Sequence, residues 1–454
     1  MFEVVNKSGL TLKIGNTGYG YVAYYAKQIL TSEDETIFKQ EEGFEYYQDE
    51  SSCILMRRLG TETNMILPNK LGGQEYTLSS YAFAADNYLE TFVLPSHIIT
   101  IPDNCFANCR KLKEIVLPNT ITKVETSAFA NAYLVEKIDY SIISPLASFS
   151  SVFINCGKDA ENTICIIRDG VKVLDGLFNS AVYVNELYFE DISSCTKFSN
   201  NAFSGLQAGI KVYLDELAPW FFIDFSGSSN NCPLWPNESM LYVGETLVTE
   251  ITIPESVKNI PAYCFYGYDH LTYLDCGINT ESIGGYAFCS NTYLNTVYIR
   301  NKVTSFGTYP FGSCQRLKYL HYYAEEVNTT TNLFDGSTAN SSGGICEITI
   351  YGQVKKIPSN CFNGSSYLTK VEFKENNNAV IFGSTPFNAT NSNFKVVVAR
   401  IEDWIRFVFE SENCNPLSNL STKLYVGNTL YTSFEPTEDI ISLGDYAFYK
   451  YKHL

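Results

Sequence analysis

Hydrophobic and polar positions alternate in short runs along this chain. In Leu112-x-x-Ile115-x-Leu117 the apolar residues share one side and the polar ones the other, which predicts a half-buried strand. Pro118 cannot donate to a hydrogen-bond ladder, so it ends that strand. A second short apolar pair, Ile121-Thr-Lys-Val124, follows. Ala128-Phe129 then drops a large ring into the core, with a small residue beside it where space is tight. One such unit cannot bury its own apolar face. Successive units must stack their strands in parallel, leaving the outward positions as a continuous surface.

The units recur. Ile101–Leu117 reads IPDNCFANCRKLKEIVL, Ile260–Leu274 reads IPAYCFYGYDHLTYL and Ile357–Val371 reads IPSNCFNGSSYLTKV. Phe83, Phe106, Phe129, Phe153, Phe178 and Phe203 mark one set of repeats. Phe265, Phe288, Phe311, Phe334, Phe362 and Phe387 mark a second, and Phe448 opens a third. Steps of 23 to 28 residues within a set fall in the range of leucine-rich repeats, each a short strand plus a loop or 3₁₀ turn. A longer period lies on top: Phe265 follows Phe83 by 182 residues, and Phe448 follows Phe265 by 183. An insertion between the sets repeats with it. Trp220 aligns with Trp404, and Leu241-Tyr-Val-Gly244 matches Leu424-Tyr-Val-Gly427.

This divides the chain into a partial unit with a linker or hairpin at 1–64, a repeat block at 65–217 and an insertion at 218–254. A second block follows at 255–400, and 401–454 holds the second insertion and the start of a third block. Within the first segment, Glu33-Asp34-Glu35 and Glu41–Tyr47 read as an acidic, aromatic hairpin or linker, and Leu10–Ile14 as a strand. The chain stops where another Leu-x-x-Ile strand is due and opens without a polar cap, so it is expected to be part of a longer protein.

Composition narrows the partners. The apolar share, 45%, is that of a folded protein, and 33 Tyr accompany 30 Phe. A net charge of −17 disfavours nucleic acid and anionic membrane surfaces, both of which require clustered Lys and Arg. No stretch approaches the roughly 18 apolar residues of a spanning helix. The opening MFEVVNKSGLTLKIG lacks the basic and apolar regions of a secretory signal. Fourteen Cys are too few for a disulfide-dense scaffold. Cys105, Cys264 and Cys361 directly precede a landmark Phe, whereas Cys109, Cys156 and Cys314 lie three after one. Fixed repeat positions of this kind suit small buried fillers. Cys105/Cys109 lacks the second pair that a zinc site needs.

The pattern Leu-x-x-Ile-x-Leu-Pro-(x)-Ile-Thr-x-Val-x-x-x-Ala-Phe resembles the BspA-type leucine-rich repeat. Leu112–Phe129, Ile251–Phe265 (ITIPESVKNIPAYCF) and Ile283–Phe288 (IGGYAF) carry it, and the resemblance covers roughly residues 65–454 apart from the two insertions. It implies a β-rich α/β solenoid with short parallel strands along one face and loops, 3₁₀ turns or short helices on the other. Similar proteins are surface proteins of bacteria or protozoa that bind host matrix proteins or other cells. The resemblance implies an extracellular or cell-surface location, and it brings no catalytic residues and no cofactor.

The candidate chemistry agrees. His97, His270, His321 and His453 stand in no metalloprotease, nucleophile-elbow or P-loop context. His97 and His270 fall in turns and are expected to be solvated. Glu325-Glu326 and Asp34/Glu35 read as solvated loop charge, and no calcium-loop pattern occurs. No catalytic, cofactor or metal residue is assigned. Outward strand positions instead bring Tyr273, Asp275, Tyr298, Tyr319, His321 and Glu347 onto one face of the second block; Cys346 and Thr349 lie beside them. Tyr combines a large contact area with a polar tip, which suits recognition. It is also a good ordinary strand residue. The corresponding first-block positions, Glu90/Thr91, Lys113/Glu114 and Glu136/Lys137, are charged. Trp220, Phe221, Phe222, Phe225 and Trp235, with Trp404, Phe407 and Phe409, are either exposed aromatic loops for glycan or protein or joints filling a wedge between blocks.

Three readings stand. The first is a monomeric, non-catalytic adhesion module for host matrix proteins, cell-surface proteins or glycans. The second is a spacer or stalk, and the third is a phage-type tail adhesin or the non-catalytic part of a larger enzyme.

Overall fold

A computed structural model of the chain describes residues 2–5, 11–14, 38–143, 151–180, 182–235, 238–328, 332–334, 346–362, 368–376, 378–387, 394–418, 421–435, 440 and 442–454. Leu10, Glu33–Glu35, Ile345 and the side chain of Cys346 lie outside the described residues. The chain forms two units, one of Met1–Val171 with Asp175–Asn185, the other of Lys172–Leu174 with Glu186–Leu454. Each is a β-solenoid with parallel strands stacked along one face and turns, 3₁₀ segments or short helices elsewhere.

In the first unit, Phe38–Glu41 and Phe44–Gln48 form an antiparallel hairpin about Glu42-Gly43, extended by Cys53–Arg58. Parallel stacking begins with Thr77–Leu78 on that last strand. Asn64–Ile66 pairs in parallel with Thr91–Val93, and a separate parallel ladder runs through Glu114–Leu117, Lys137–Tyr140 and Ile164–Ile167, in a register that lines up Ile115, Ile138 and Cys165, all fully buried.

The landmark rings explain the period. Phe83, Phe106, Phe129 and Phe153 stack with centroid separations of 4.8, 5.2 and 5.7 Å. The amides of Phe83, Phe106 and Phe129 donate to the carbonyls of Cys105, Ala128 and Val152, each one residue before the next ring. The positions two before and two after a ring take positive φ, as at Asn104/Asn108 and Ser127/Asn131. Asn tolerates that region better than most residues, which accounts for its recurrence there. Asn155 Nδ2 donates to Asn131 Oδ1 at 2.9 Å and Asn131 Nδ2 to Asn108 Oδ1 at 3.1 Å, which ties successive turns together.

Cysteine takes part in the same scheme. Cys109 Sγ donates to Phe83 O at 3.0 Å and Cys314 Sγ to Phe288 O at 3.2 Å. Asn291 does this for Phe265 O at 2.7 Å. The residue three after a ring therefore donates to the carbonyl of the preceding ring, as a second donor where a backbone amide already reaches it, Asp86 N at Phe83 O and Tyr268 N at Phe265 O. All thirteen described cysteines are buried, and among them none is disulfide-bonded.

In the second unit, Glu186–Phe189, Lys211–Leu214 and Met240–Val243 run parallel. Glu250–Thr252 then begins a longer parallel series through Tyr273–Asp275, Thr296–Ile299, Tyr319–Tyr322, Cys346–Ile350, Leu368–Phe373, Lys395–Val398 and Lys423–Val426. Its inward column includes Leu274, Val297, Leu320, Ile348, Val371 and Val396, each with no exposed surface. Burial at each such position contributes about 1.5–3 kcal/mol.

The insertions are built alike. Trp220, in the 3₁₀ segment Ala218–Phe222, donates its indole N–H to Cys264 O at 2.9 Å. Trp404, in the helix Ile401–Ile405, donates to Ala447 O at 2.9 Å. Both indoles are fully buried. Each insertion ends in an antiparallel hairpin, Val243 facing Thr246 and Val426 facing Thr429. Gly244 and Gly427 occupy the first turn position at φ +58° and +59°, where a two-residue loop favours glycine. Among the described residues no helix is long and apolar enough to cross a membrane.

Candidate interaction face

Outward positions of the longer sheet fall into registered rows. One row holds Tyr273, Thr296, Tyr319, Glu347 and Lys370, and the next holds Asp275, Tyr298, His321, Thr349 and Glu372. The six residues singled out from the sequence therefore share a face but divide between two rows. Tyr319 projects furthest, at 36% exposure, with Lys318 Nζ 5.0 Å from its ring centre. Glu347 is paired with Lys370 at 2.8 Å.

A third row begins one residue beyond the strands. Arg300, Tyr323 and Tyr351 follow Ile299, Tyr322 and Ile350, and the ladder carries them along: Tyr323 N donates to Ile299 O at 2.8 Å and Tyr351 N to Tyr322 O at 3.1 Å. These three residues were not among the sequence candidates, and they join Tyr298 and His321 in one cluster. The Arg300 guanidinium lies 5.1 Å from the Tyr298 ring centre and 5.4 Å from that of Tyr323. Tyr323 stacks on Tyr351 at 3.8 Å and 9°. The Tyr351 hydroxyl meets His321 Nδ1 at 3.1 Å, and His321 stacks on Tyr298 at 4.2 Å and 11°. Five side chains thus close a circuit: Arg300, Tyr323, Tyr351, His321 and Tyr298. Tyr273 adjoins it, 5.7 Å from Tyr298.

Asp275 anchors the circuit from beneath. It is buried, its Oδ1 accepts from Arg300 Nε at 2.8 Å and from Gly277 N at 3.0 Å, and its Oδ2 accepts from the Arg300 Nη2. Burial raises its pKa, but the Arg300 and Gly277 hydrogen bonds outweigh that and hold it below the usual carboxylate value. Its expected role as an outward contact is thereby replaced by that of a counter-ion fixing Arg300. Burial, Arg300 and Lys374 all push the His321 pKa down, so its neutral form is favoured. Burial and the Tyr351 hydroxyl push Tyr323 up to about 12. The face presents neutral aromatic edges around one delocalised cation.

A second aromatic row, also absent from the candidates, lies on the shorter sheet of this unit. Tyr188, Tyr213 and Tyr242 stack at 4.3 and 5.0 Å. Their spacing of one repeat, in the same strand position, is a signal the sequence carries.

Two histidine expectations are corrected. His97 and His270 are only partly exposed, and the Nε2 atom of each is buried without a hydrogen-bond partner. His97 packs edge-on against Tyr76 at 4.9 Å and His270 lies 5.7 Å from Tyr268, so each ring has one side against an aromatic neighbour. Among the described residues no group of three or more His, Cys, Asp or Glu is placed to hold a metal ion.

Comparison with known proteins bears on the repeat itself. The model for the "BspA type Leucine rich repeat region (6 copies)" matches residues 76–208, 240–340 and 329–415, more than half of the chain. The chain belongs to the BspA-type leucine-rich repeat family. The repeat is a non-catalytic solenoid scaffold. No curated protein matches the chain. Among solved structures it is similar to a leucine-rich cell surface protein from Faecalibacterium prausnitzii A2-165 (19% identity, TM-score 0.35, covering 75% of this chain and 96% of that one). It is similar to a leucine-rich repeat protein from Bacteroides ovatus ATCC 8483 (14%, 0.33, 85% and 90%). It is also similar to the pneumococcal vaccine antigen PcpA (14%, 0.35, 86% and 99%).

Proposed function

We propose that this chain is a secreted or surface-displayed recognition module that binds a host matrix or cell-surface protein through the strand face of its second block. The observation that carries the reading is the closed circuit of Arg300, Tyr323, Tyr351, His321 and Tyr298. Its side chains are already held by stacking and hydrogen bonds, so binding freezes few rotamers. Tyr and Arg are the residue types that concentrate binding energy in protein interfaces. Arg300 also keeps its fork geometry through Asp275, which a lysine could not reproduce.

The test is binding of the purified chain to immobilised matrix proteins, glycans and whole cells. A folded variant carrying Tyr273→Ser, Tyr298→Ser and Tyr319→Ser serves as the comparison. Binding by the parent and not by the variant supports the reading; equal binding moves the site elsewhere.

One observation favours a spacer. The joint of Trp220 on Cys264 O recurs as Trp404 on Ala447 O with the same length, as expected where units are added to extend an array. Absence of binding to every surface would support that reading.

A further inference from the structure

The turns of the second block carry an aromatic line that the strand face does not use. Tyr263, Tyr286 and Tyr309 occupy the same position in three consecutive repeats, two residues before the landmark ring. Ring centres are 5.2 Å apart between Tyr263 and Tyr286 and 6.1 Å between Tyr286 and Tyr309. Tyr266 lies 5.7 Å from Tyr263, and Trp235, from the insertion, stands edge-on to Tyr266 at 5.1 Å. All five are partly exposed.

These tyrosines are an unfavourable choice for the backbone. Tyr263, Tyr286 and Tyr309 have φ of +62°, +57° and +43°, a region disfavoured for bulky residues. Other repeats fill the position with Asn104, Ser127, Ser151, Asn201 and Asn360 at the same φ, so folding does not require an aromatic there. Tyr81 and Tyr446 are further cases outside this line: Asn104 in the turn after Tyr81 donates to its hydroxyl at 3.2 Å, and Tyr446 stands edge-on to Tyr449 at 5.9 Å. Backbone strain retained where a better residue is available points to a use outside folding.

The surroundings are shaped to the line. A Cβ on Gly284 would meet Ala262 N at 2.4 Å, and one on Gly307 would meet Gly285 N at 2.1 Å, so only glycine allows these turns to approach so closely. Gly267 leaves room for Trp235, whose Cε3 would lie 2.4 Å from an added Cβ. Ladder bonds from Tyr263 N to Gly285 O and from Tyr286 N to Thr308 O fix the spacing.

We propose that Trp235, Tyr266, Tyr263, Tyr286 and Tyr309 form a binding site for a neutral, extended polysaccharide. Pyranose C–H faces pack on aromatic rings while phenol hydroxyls and indole N–H reach sugar hydroxyls. Tyr263 and Tyr286 stack at 5.2 Å and 25° and Tyr309 stands edge-on to Tyr286 at 6.1 Å and 69°, so the line offers ring edges and phenol hydroxyls at a spacing that follows a chain from one sugar to the next. The net charge of −17 repels polyanionic glycans, which leaves the neutral class.

The test is electrophoresis of the full chain in gels containing barley β-glucan, xylan or mannan, with polygalacturonate as the anionic control. The parent is expected to be retarded by at least one neutral polysaccharide and not by polygalacturonate. Tyr286→Asn, which installs the residue used at this position elsewhere, should bind at least about tenfold more weakly and unfold at the same or a higher temperature. Tyr298→Ser, on the strand face, should leave retardation unchanged. Unretarded migration of the parent in every neutral gel overturns the inference, as does a Tyr286→Asn variant retarded like the parent. Retardation by polygalacturonate alone, or dependence on Tyr298 rather than Tyr286, overturns it too. A failure here leaves the strand-face reading intact, because the two rest on different variants.

Discussion

His321 Nδ1 and the Tyr351 hydroxyl, 3.1 Å apart, occupy the positions that Asp139 and Arg168 hold in the first block. His321 follows Asp139 by 182 residues and Tyr351 follows Arg168 by 183, the two offsets of the long period. Asp139 Oδ1 accepts from Arg168 Nε at 2.9 Å. The Arg168 hydrogen bonds lower the Asp139 pKa against the opposing effect of burial. Duplicated positions thus bear an ion pair in one block and an aromatic hydrogen bond in the other. The second block has instead placed its ion pair, Asp275–Arg300, where Arg300 can lie against two tyrosines.

The His321 pair should make stability depend on pH. Its folded pKa lies below the ordinary 6.5, so between those two values the unfolded chain binds more protons. The contribution is fully present above about 6.5 and is lost as pH falls through the folded value. Denaturant midpoints taken from about pH 7.5 down to about pH 5 should fall more for the parent than for His321→Gln. Parallel curves would show that His321 titrates as an ordinary imidazole.

Arg300→Lys separates geometry from charge. Lysine cannot span the Asp275 carboxylate with a planar fork while lying against Tyr298 and Tyr323. The variant should keep its fold and lose at least about tenfold in binding to a partner of the strand face, about 1.4 kcal/mol. Unchanged affinity would reduce Arg300 to a surface cation.

The insertion joints should be equivalent. Trp220→Phe and Trp404→Phe each remove one donor to a buried carbonyl and leave a smaller ring, at a cost of about 2 kcal/mol each. Urea denaturation followed by circular dichroism measures both. A much smaller effect at either would show that its indole hydrogen bond contributes little.

Much of this architecture could be read in advance because it depends on a period. The landmark Phe, the small residue before it and the apolar column of Leu274, Val297 and Leu320 each sit at a fixed offset, and stacking converts offset into contact. The site was legible only in part. Tyr298 and His321 follow from strand alternation. Arg300, Tyr323 and Tyr351 lie one residue past the last strand position, where alternation is no longer counted although the ladder continues. The burial of Asp275 depends on a side chain 25 residues onward, and that of the His97 and His270 Nε2 atoms on packing within the turns.

The thiols should be inert while the chain is folded. Burial raises the pKa of every described cysteine with a resolved shift, Cys195 and Cys232 to about 12, and thiolate is the reactive form. A thiol-reactive chromophore should modify at most one of the 14 cysteines promptly in native protein, the exception being Cys346, whose side chain is not among those described, and all 14 after denaturation. Prompt reaction of several would contradict the buried arrangement.

The most direct test of the account is surface binding of the purified chain beside Tyr298→Ser. Immobilised matrix proteins and whole cells serve as targets, and circular dichroism establishes that the variant is folded. The account predicts that the parent binds at least one of them and that the variant, with the circuit opened between Arg300 and His321, binds at least about tenfold more weakly. Equal binding by the two proteins would contradict it.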